Sequence, residues 1–184
     1  MSPDELAELI AARRSNIFID DSSVVTDTQL DQLISSAQWA PNHKRTWPLR
    51  LAVVRGNSRR ALGEAIADSM ATRGDDEAKV QKTRTKYMRS PVVLVVASAH
   101  GESTNETEEN RYAVAAGIQN MLLMAETMGF AALWGSPAKG ANDAITHVCK
   151  MDSTDHVLGI VYVGAPAKAA PAVERPAVRV TYLD

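Results

Sequence analysis

A single cysteine, Cys149, occurs in the 184 residues of this chain, so no internal disulfide framework can form and a zinc cluster lacks its thiolates. That scarcity suits a reducing compartment, and the cytoplasm is the expected location. Histidine is also sparse. His43, His100, His147 and His156 are dispersed, with no His-Glu-x-x-His or Cys-x-x-Cys pattern, so metal catalysis is not expected. Neither sign of charge dominates: 20 basic residues face 22 acidic ones, a net charge of −2, which leaves no global cationic field for nucleic acid or anionic lipid. No apolar run approaches the roughly 18 to 20 residues that span a bilayer. The N-terminus, Met1-Ser2-Pro3-Asp4-Glu5, carries acids where an export signal carries bases. Neither nucleic acid nor a membrane is an expected partner.

What the chain does contain is enough for one domain over residues 1–184, since a chain of this size buries about 70 % of its unfolded surface. Leu6, Leu9 and Ile10 recur at helical spacing between Asp4 and Arg14 and predict a first helix with one face packed inward. A second helix starts at Thr26 as N-cap, places Leu30, Leu33, Ile34 and Ala37 on one side, and ends before Pro41. Leu49 to Val54 reads as a strand, and the charged stretch 58–87 as two helices interrupted at Arg73-Gly74-Asp75-Asp76. Pro91 to Ala97, with its Val-Val-Leu-Val-Val run, is short and rich in β-branched residues and predicts a strand buried on both faces. Gly101 to Asn110 reads as a loop, followed by a long helix from about Arg111 to Met128 with Gly129 as its C-cap. Ala131 to Trp134, Ala141 to Cys149 and Val157 to Val163 supply a strand, a helix and a last strand, before an extended tail holding Pro166, Pro171 and Pro176. Strands interleaved with helices, with no early βαβ unit, predict an α+β sandwich.

Three segments have the chemistry of a ligand site. Arg13-Arg14-Ser15 follows the first helix and offers two guanidiniums and a hydroxyl, a fork that suits a phosphate monoester; the alternative is that the two arginines simply complement the helix dipole. The loop after the second helix carries Trp39 and His43, an aromatic face and a titratable proton donor suited to a planar ligand, or else a solvated turn. Trp134-Gly135-Ser136 emerges at a strand end, where Gly135 would let backbone approach a ring. Otherwise Trp134 is an ordinary core aromatic.

The order of these segments resembles the nitroreductase superfamily. The resemblance begins at Arg13-Arg14-Ser15, continues through Leu30-Asp31-Gln32-Leu33-Ile34-Ser35-Ser36-Ala37 to Ala40-Pro41-Asn42-His43-Lys44, resumes at Met124-Ala125-Glu126-Thr127-Met128-Gly129-Phe130 and ends at Tyr162-Val163-Gly164-Ala165-Pro166. It is similar to the short YdjA-like branch and leaves out the stretch from about residue 57 to 90. It implies a nitroreductase-like α+β fold with a central, mostly antiparallel sheet flanked by helices and a C-terminal tail reaching the partner subunit. It further implies an FMN-binding homodimer in which Arg13, Arg14 and Ser15 hold the phosphate and ribityl end while Trp134, Gly135 and Ser136 approach the isoalloxazine. Trp39 and His43 would come from the partner subunit, and Ala125 to Phe130 would meet a nicotinamide nucleotide. The implied function is an FMN-dependent oxidoreductase that takes hydride from NADH or NADPH and reduces a small nitroaromatic or quinone in a ping-pong cycle, with His43 as a proton donor. The alternative is a flavin-binding or cofactor-lost dimer without turnover. Two departures bear on that choice. Arg45 and Trp47-Pro48-Leu49 stand where the family carries Asn and Gln-Pro-Trp, and Ile17 and Phe18 replace a further basic residue, so Lys168, Arg175 or Arg179 of the tail would have to supply the missing charge.

Overall fold

The computed structural model describes residues 1–183. Four strands, β1 (Leu49–Arg55), β2 (Val92–Ser98), β3 (Ala131–Gly135) and β4 (His156–Gly164), form one sheet in the order β1-β2-β4-β3 with every pairing antiparallel. Six α-helices accompany them: α1 (Pro3–Ala12), α2 (Asp27–Gln38), α3 (Ser58–Thr72), α4 (Glu77–Lys86), α5 (Thr104–Thr127) and α6 (Asn142–Val148).

Strand β2 explains the layering. Each of its seven residues is buried, because successive side chains point to opposite faces and both faces are covered. Val93, Val95 and Ala97 join Leu62, Ile66 and Met70 of α3 and Ile145 of α6 in one core. Val92, Leu94 and Val96 join Leu30 and Leu33 of α2 and Ile118, Met121 and Leu122 of α5 in the other. A continuous β-branched run is what such a position demands.

Two expectations are corrected. The long helix α5 begins at Thr104, one to two turns before Arg111. Ser103 caps it by accepting from the Glu106 amide at 3.2 Å, and the polar side chains of its first turns are used: Thr107 accepts from the Gly101 amide at 3.0 Å, and Asn110 is buried. The stretch is polar because one side meets solvent and the other makes hydrogen bonds, which periodicity of apolar residues does not register. Helix α1 also departs from its predicted role. It starts from a Ser2–Glu5 capping box, yet none of its residues is buried, and Leu6 and Ile10 stay exposed, since nothing in this chain covers its apolar stripe. Gly129, at φ 71°, ends α5 as predicted, in the left-handed conformation that costs glycine little. Among the described residues no helix is long and apolar enough to cross a membrane.

Candidate functional site

The segment after α1 runs beside the outer strand of the sheet. Ser15 forms a parallel bridge with Ala132 of β3, and the Asn16 amide donates to the Ala132 carbonyl at 2.9 Å. Ile19 then bridges antiparallel to Pro166, the first residues of the tail. Arg13-Arg14-Ser15 and Trp134-Gly135-Ser136, far apart in sequence, thus lie along the same strand, roughly 10 Å apart by the rise of three strand residues. Asn16 secures the arrangement. Buried, it donates to the Lys168 carbonyl at 2.8 Å and accepts from the Phe18 amide at 2.9 Å.

The two arginines behave differently. Arg14 turns back on α1 and donates to the carbonyls of Ala11 and Arg13, so it satisfies the helix C-terminus, as in the dipole reading. Arg13 makes no such bond. Burial lowers its pKa, Arg175 of the tail and Arg14 add like-charge repulsion, and Glu126 opposes it. Arg175 of the tail thus adds its positive charge to the surroundings of Arg13, while Lys168 sits over the Phe18 ring at 5.8 Å. Guanidiniums that repel one another beside an exposed serine hydroxyl suit a phosphate, whose charge would relieve the repulsion. The donor set therefore fits a phosphate monoester such as the end of FMN. A cavity of about 280 Å³ adjoins this segment, bounded by Arg14, Asn16, Glu126, Phe130 and Ala170; Arg13, Ser15 and Arg175 are not among its lining residues.

At the other end of β3, the Trp134 indole lies across β4 and donates to the Leu158 carbonyl at 3.3 Å. It fits because residue 159 is glycine: a Cβ there would stand 2.0 Å from Trp134 Nε1. Gly135 lies over Tyr162, whose ring would be 3.5 Å from an added Cβ. Tyr162 stacks on Tyr87 at 6.1 Å, and both hydroxyls are buried without a hydrogen-bond partner. Burial pushes the Tyr87 phenol up to about 12 and the Tyr162 phenol up as well. Both stay neutral. The loop beyond Ser136 then forms one wall, Ala138, Lys139 and Gly140, of a cavity of about 800 Å³. Opposite stand Lys79, Lys82 and Lys86 of α4 and Arg89 of the following turn. Burial, Arg89 and Lys82 together lower the Lys86 pKa. The two carboxylates at the rim are otherwise engaged, Asp75 with Arg73 at 2.7 Å and Asp76 as the cap of α4. This cationic face was legible as the spacing 79, 82, 86, 89, but its opposite wall lies fifty residues away in sequence.

Trp39 and His43 are placed elsewhere. Trp39 caps the end of α2 and is 84 % exposed, and Trp47 is 65 % exposed. With Ala37, Pro48, Leu49 and Ala113 they border a groove of about 450 Å³. The loop between them holds three non-glycine residues with left-handed backbone: Lys44 (φ 58°), Arg45 (φ 56°) and Trp47 (φ 50°). Each costs on the order of 1–3 kcal/mol, and such strain clusters at functional sites. Asn42 holds the loop, accepting from the Trp47 amide at 2.9 Å and donating to Thr46 at 3.0 Å, and Thr46 donates to Asn110 of α5 at 2.5 Å. His43 Nδ1 donates to Glu109 of α5 at 2.8 Å. That hydrogen bond is the main reason the Glu109 carboxyl lies below its usual pKa. Within one chain, then, the first and last predicted segments meet along β3, whereas Trp39 and His43 line separate cavities. Asn16, Asn42, Glu109 and Asn110 were not anticipated, because their roles depend on contacts distant in sequence.

An antiparallel sheet between two helical layers, with an arginine-bearing segment bridged to its outer strand, is an α+β ligand-binding fold rather than a doubly wound one. Residues 10–165 match the model of the Nitroreductase family, and the chain belongs to that family. It is 24 % identical over 171 residues to "Putative NAD(P)H nitroreductase YdjA" of Escherichia coli K12, covering 92 % of this chain and 93 % of that one. Among solved structures it resembles a nitroreductase-like family protein from Bacillus cereus (26 % identity, TM-score 0.78, 96 % and 94 % of the chains covered). It also shares its fold with a nitroreductase with bound FMN from Bacteroides fragilis (20 % identity, TM-score 0.77, 98 % and 99 % covered).

Proposed function

We propose that the protein is an FMN-dependent NAD(P)H oxidoreductase that works as a homodimer and reduces a small quinone or nitroaromatic. The observation that carries this reading is the bridging of the Arg13-Arg14-Ser15 segment to β3, in line with the Trp134–Ser136 end of the same strand, with the like charge of Arg175 in the tail acting on Arg13. When bound, FMN supplies the redox chemistry, accepting a hydride from the nicotinamide and passing it on. The residues do the rest. Arg13, Ser15 and Arg175 hold the phosphate, and Gly135 and Ser136 present backbone to the ring. Lys82, Lys86 and Arg89 put positive charge around the cavity whose other wall is Ala138, Lys139 and Gly140, which favours an electron-rich ligand over its oxidised form.

Two subunits are part of the reading. Leu6, Ile10, Ile17, Phe18, Trp39 and Trp47 are all exposed, and large apolar side chains left to water in this number suit an interface with a second subunit. Pairing would cover them and bring Trp39 and His43 of one subunit toward the β3 site of the other. Initial velocities with varied NADPH and quinone test the cycle: parallel double-reciprocal lines are expected, and intersecting lines would show that both substrates must be bound together.

A further inference from the structure

The contact between His43 and Glu109 has consequences beyond holding a loop. Both oxygens of Glu109 are engaged, one by His43 Nδ1 at 2.8 Å and the other by the Asn105 side-chain amide at 3.0 Å. A carboxylate fixed in this way accepts only, so Nδ1 must carry a proton in either charge state of the imidazole. Proton exchange is thereby confined to Nε2, on a side chain that is 63 % exposed. His43 borders a cavity of about 400 Å³ with Pro41, Tyr112 and Ala113, and Ala113 also borders the groove between Trp39 and Trp47. The two spaces are neighbours around one small side chain. Lys44 on the loop is the other charge acting on the pair, while the neighbouring Glu108 of α5 is engaged by the Tyr112 hydroxyl at 2.5 Å.

We propose that Glu109 is a positioning residue that presents Nε2 of His43 to a planar quinone seated against Trp39 and Trp47, and that His43 protonates this acceptor. The inference rests on the oxidoreductase reading above. A quinone that takes up a hydride gains two electrons and one proton and becomes a hydroquinone monoanion. One further proton completes the hydroquinone. The Nε2–H bond of the imidazolium breaks as the O–H bond forms, His43 is left neutral with Nδ1–H still bonded to Glu109, and solvent restores the proton at Nε2. The strained loop has a purpose in this arrangement, since the left-handed backbone at Lys44 and Arg45 directly follows His43 and fixes where its ring can point.

Two measurements test it. The first is the histidine tautomer, read from long-range ¹H–¹⁵N correlations of the flavin-free protein. Neutral His43 is expected with its proton on Nδ1, to stay so in Glu108→Gln, and to move toward the Nε2–H form in Glu109→Ala. The second is stopped-flow reoxidation of the reduced enzyme by a quinone and by ferricyanide, which takes electrons without a proton. The quinone-to-ferricyanide rate ratio is expected to fall by about 10²-fold in His43→Gln, the usual contribution of a positioned general acid, and the solvent deuterium isotope effect on quinone reduction to shrink toward one. An unchanged ratio in His43→Gln, or an Nδ1–H tautomer that survives in Glu109→Ala, overturns the proposal. If NADPH fails to reduce the flavin at all, it is the oxidoreductase reading that has failed, and the tautomer measurement still decides what Glu109 does.

Discussion

Arg13 and Arg14 are distinguished by what each guanidinium touches. Arg14 is spent on the end of α1, while the Arg13 side chain makes no hydrogen bond among the described residues and feels the like charge of Arg175. Arg13→Ala is therefore expected to weaken FMN binding by about tenfold or more, the worth of a charge-assisted hydrogen bond, while leaving the melting temperature of the flavin-free protein unchanged or slightly raised. Flavin fluorescence titration and a thermal melt check the two halves. Gly159→Ala places a methyl group where the Trp134 indole lies; overpacking of this kind costs about 1–3 kcal/mol, and tryptophan fluorescence should report the displaced ring. Glu109 gives a pH dependence with a definite sign. Its folded-state pKa is lowered, foremost by the His43 hydrogen bond, so the associated stabilisation is present above the ordinary carboxyl value and is lost as pH falls through the lower folded value. The gap in denaturation midpoint between wild type and Glu109→Gln should accordingly be open at about pH 6 and close as the pH falls through that lower value.

At the scale of elements, the sequence is most readable where one physical demand dominates. Strand β2 announces itself because burial on both faces selects an apolar run from Val92 to Ala97, and Gly129 because a left-handed C-cap suits glycine. Two elements escaped for opposite reasons. The first turns of α5 look like a loop because Thr107 and Asn110 are buried through hydrogen bonds rather than apolar contact. Ser103→Ala discriminates the two pictures: loss of an N-cap costs about 1 kcal/mol, measurable by chemical denaturation, whereas a serine in a solvated loop costs close to nothing. The loop 43–47 could not be read at all, since Lys, Arg and Trp carry no signal for positive φ, and only the side chains of Asn42 and Asn110 explain how it is held. The candidate site was half legible. Arg13 and Gly135 are candidates by their chemistry and the cationic spacing on α4 is present in the sequence, while the wall opposite that spacing and the Glu109 partner of His43 emerge only when distant segments fold together.

For the molecule as a whole, the exposed stripe of α1 and the exposed tryptophans argue for a site shared between two chains. Mixing Arg13→Ala and Trp39→Ala dimers, at an FMN concentration too low to load the Arg13→Ala site, tests the sharing. A composite site predicts recovery of about a quarter of wild-type activity, because half of the randomised dimers would carry one intact site of two; no recovery would place all the residues on one chain. The central claim, that this chain uses FMN to move electrons from a nicotinamide nucleotide, is tested most directly by the visible absorption spectrum of the purified protein loaded with FMN and then given NADH or NADPH without oxygen. Protein-bound flavin bands that bleach on addition of the nucleotide and return on addition of a quinone are the predicted result. Bands that persist would make the protein a flavin binder without turnover, and failure to retain FMN would contradict the phosphate site assigned to Arg13 and Arg175.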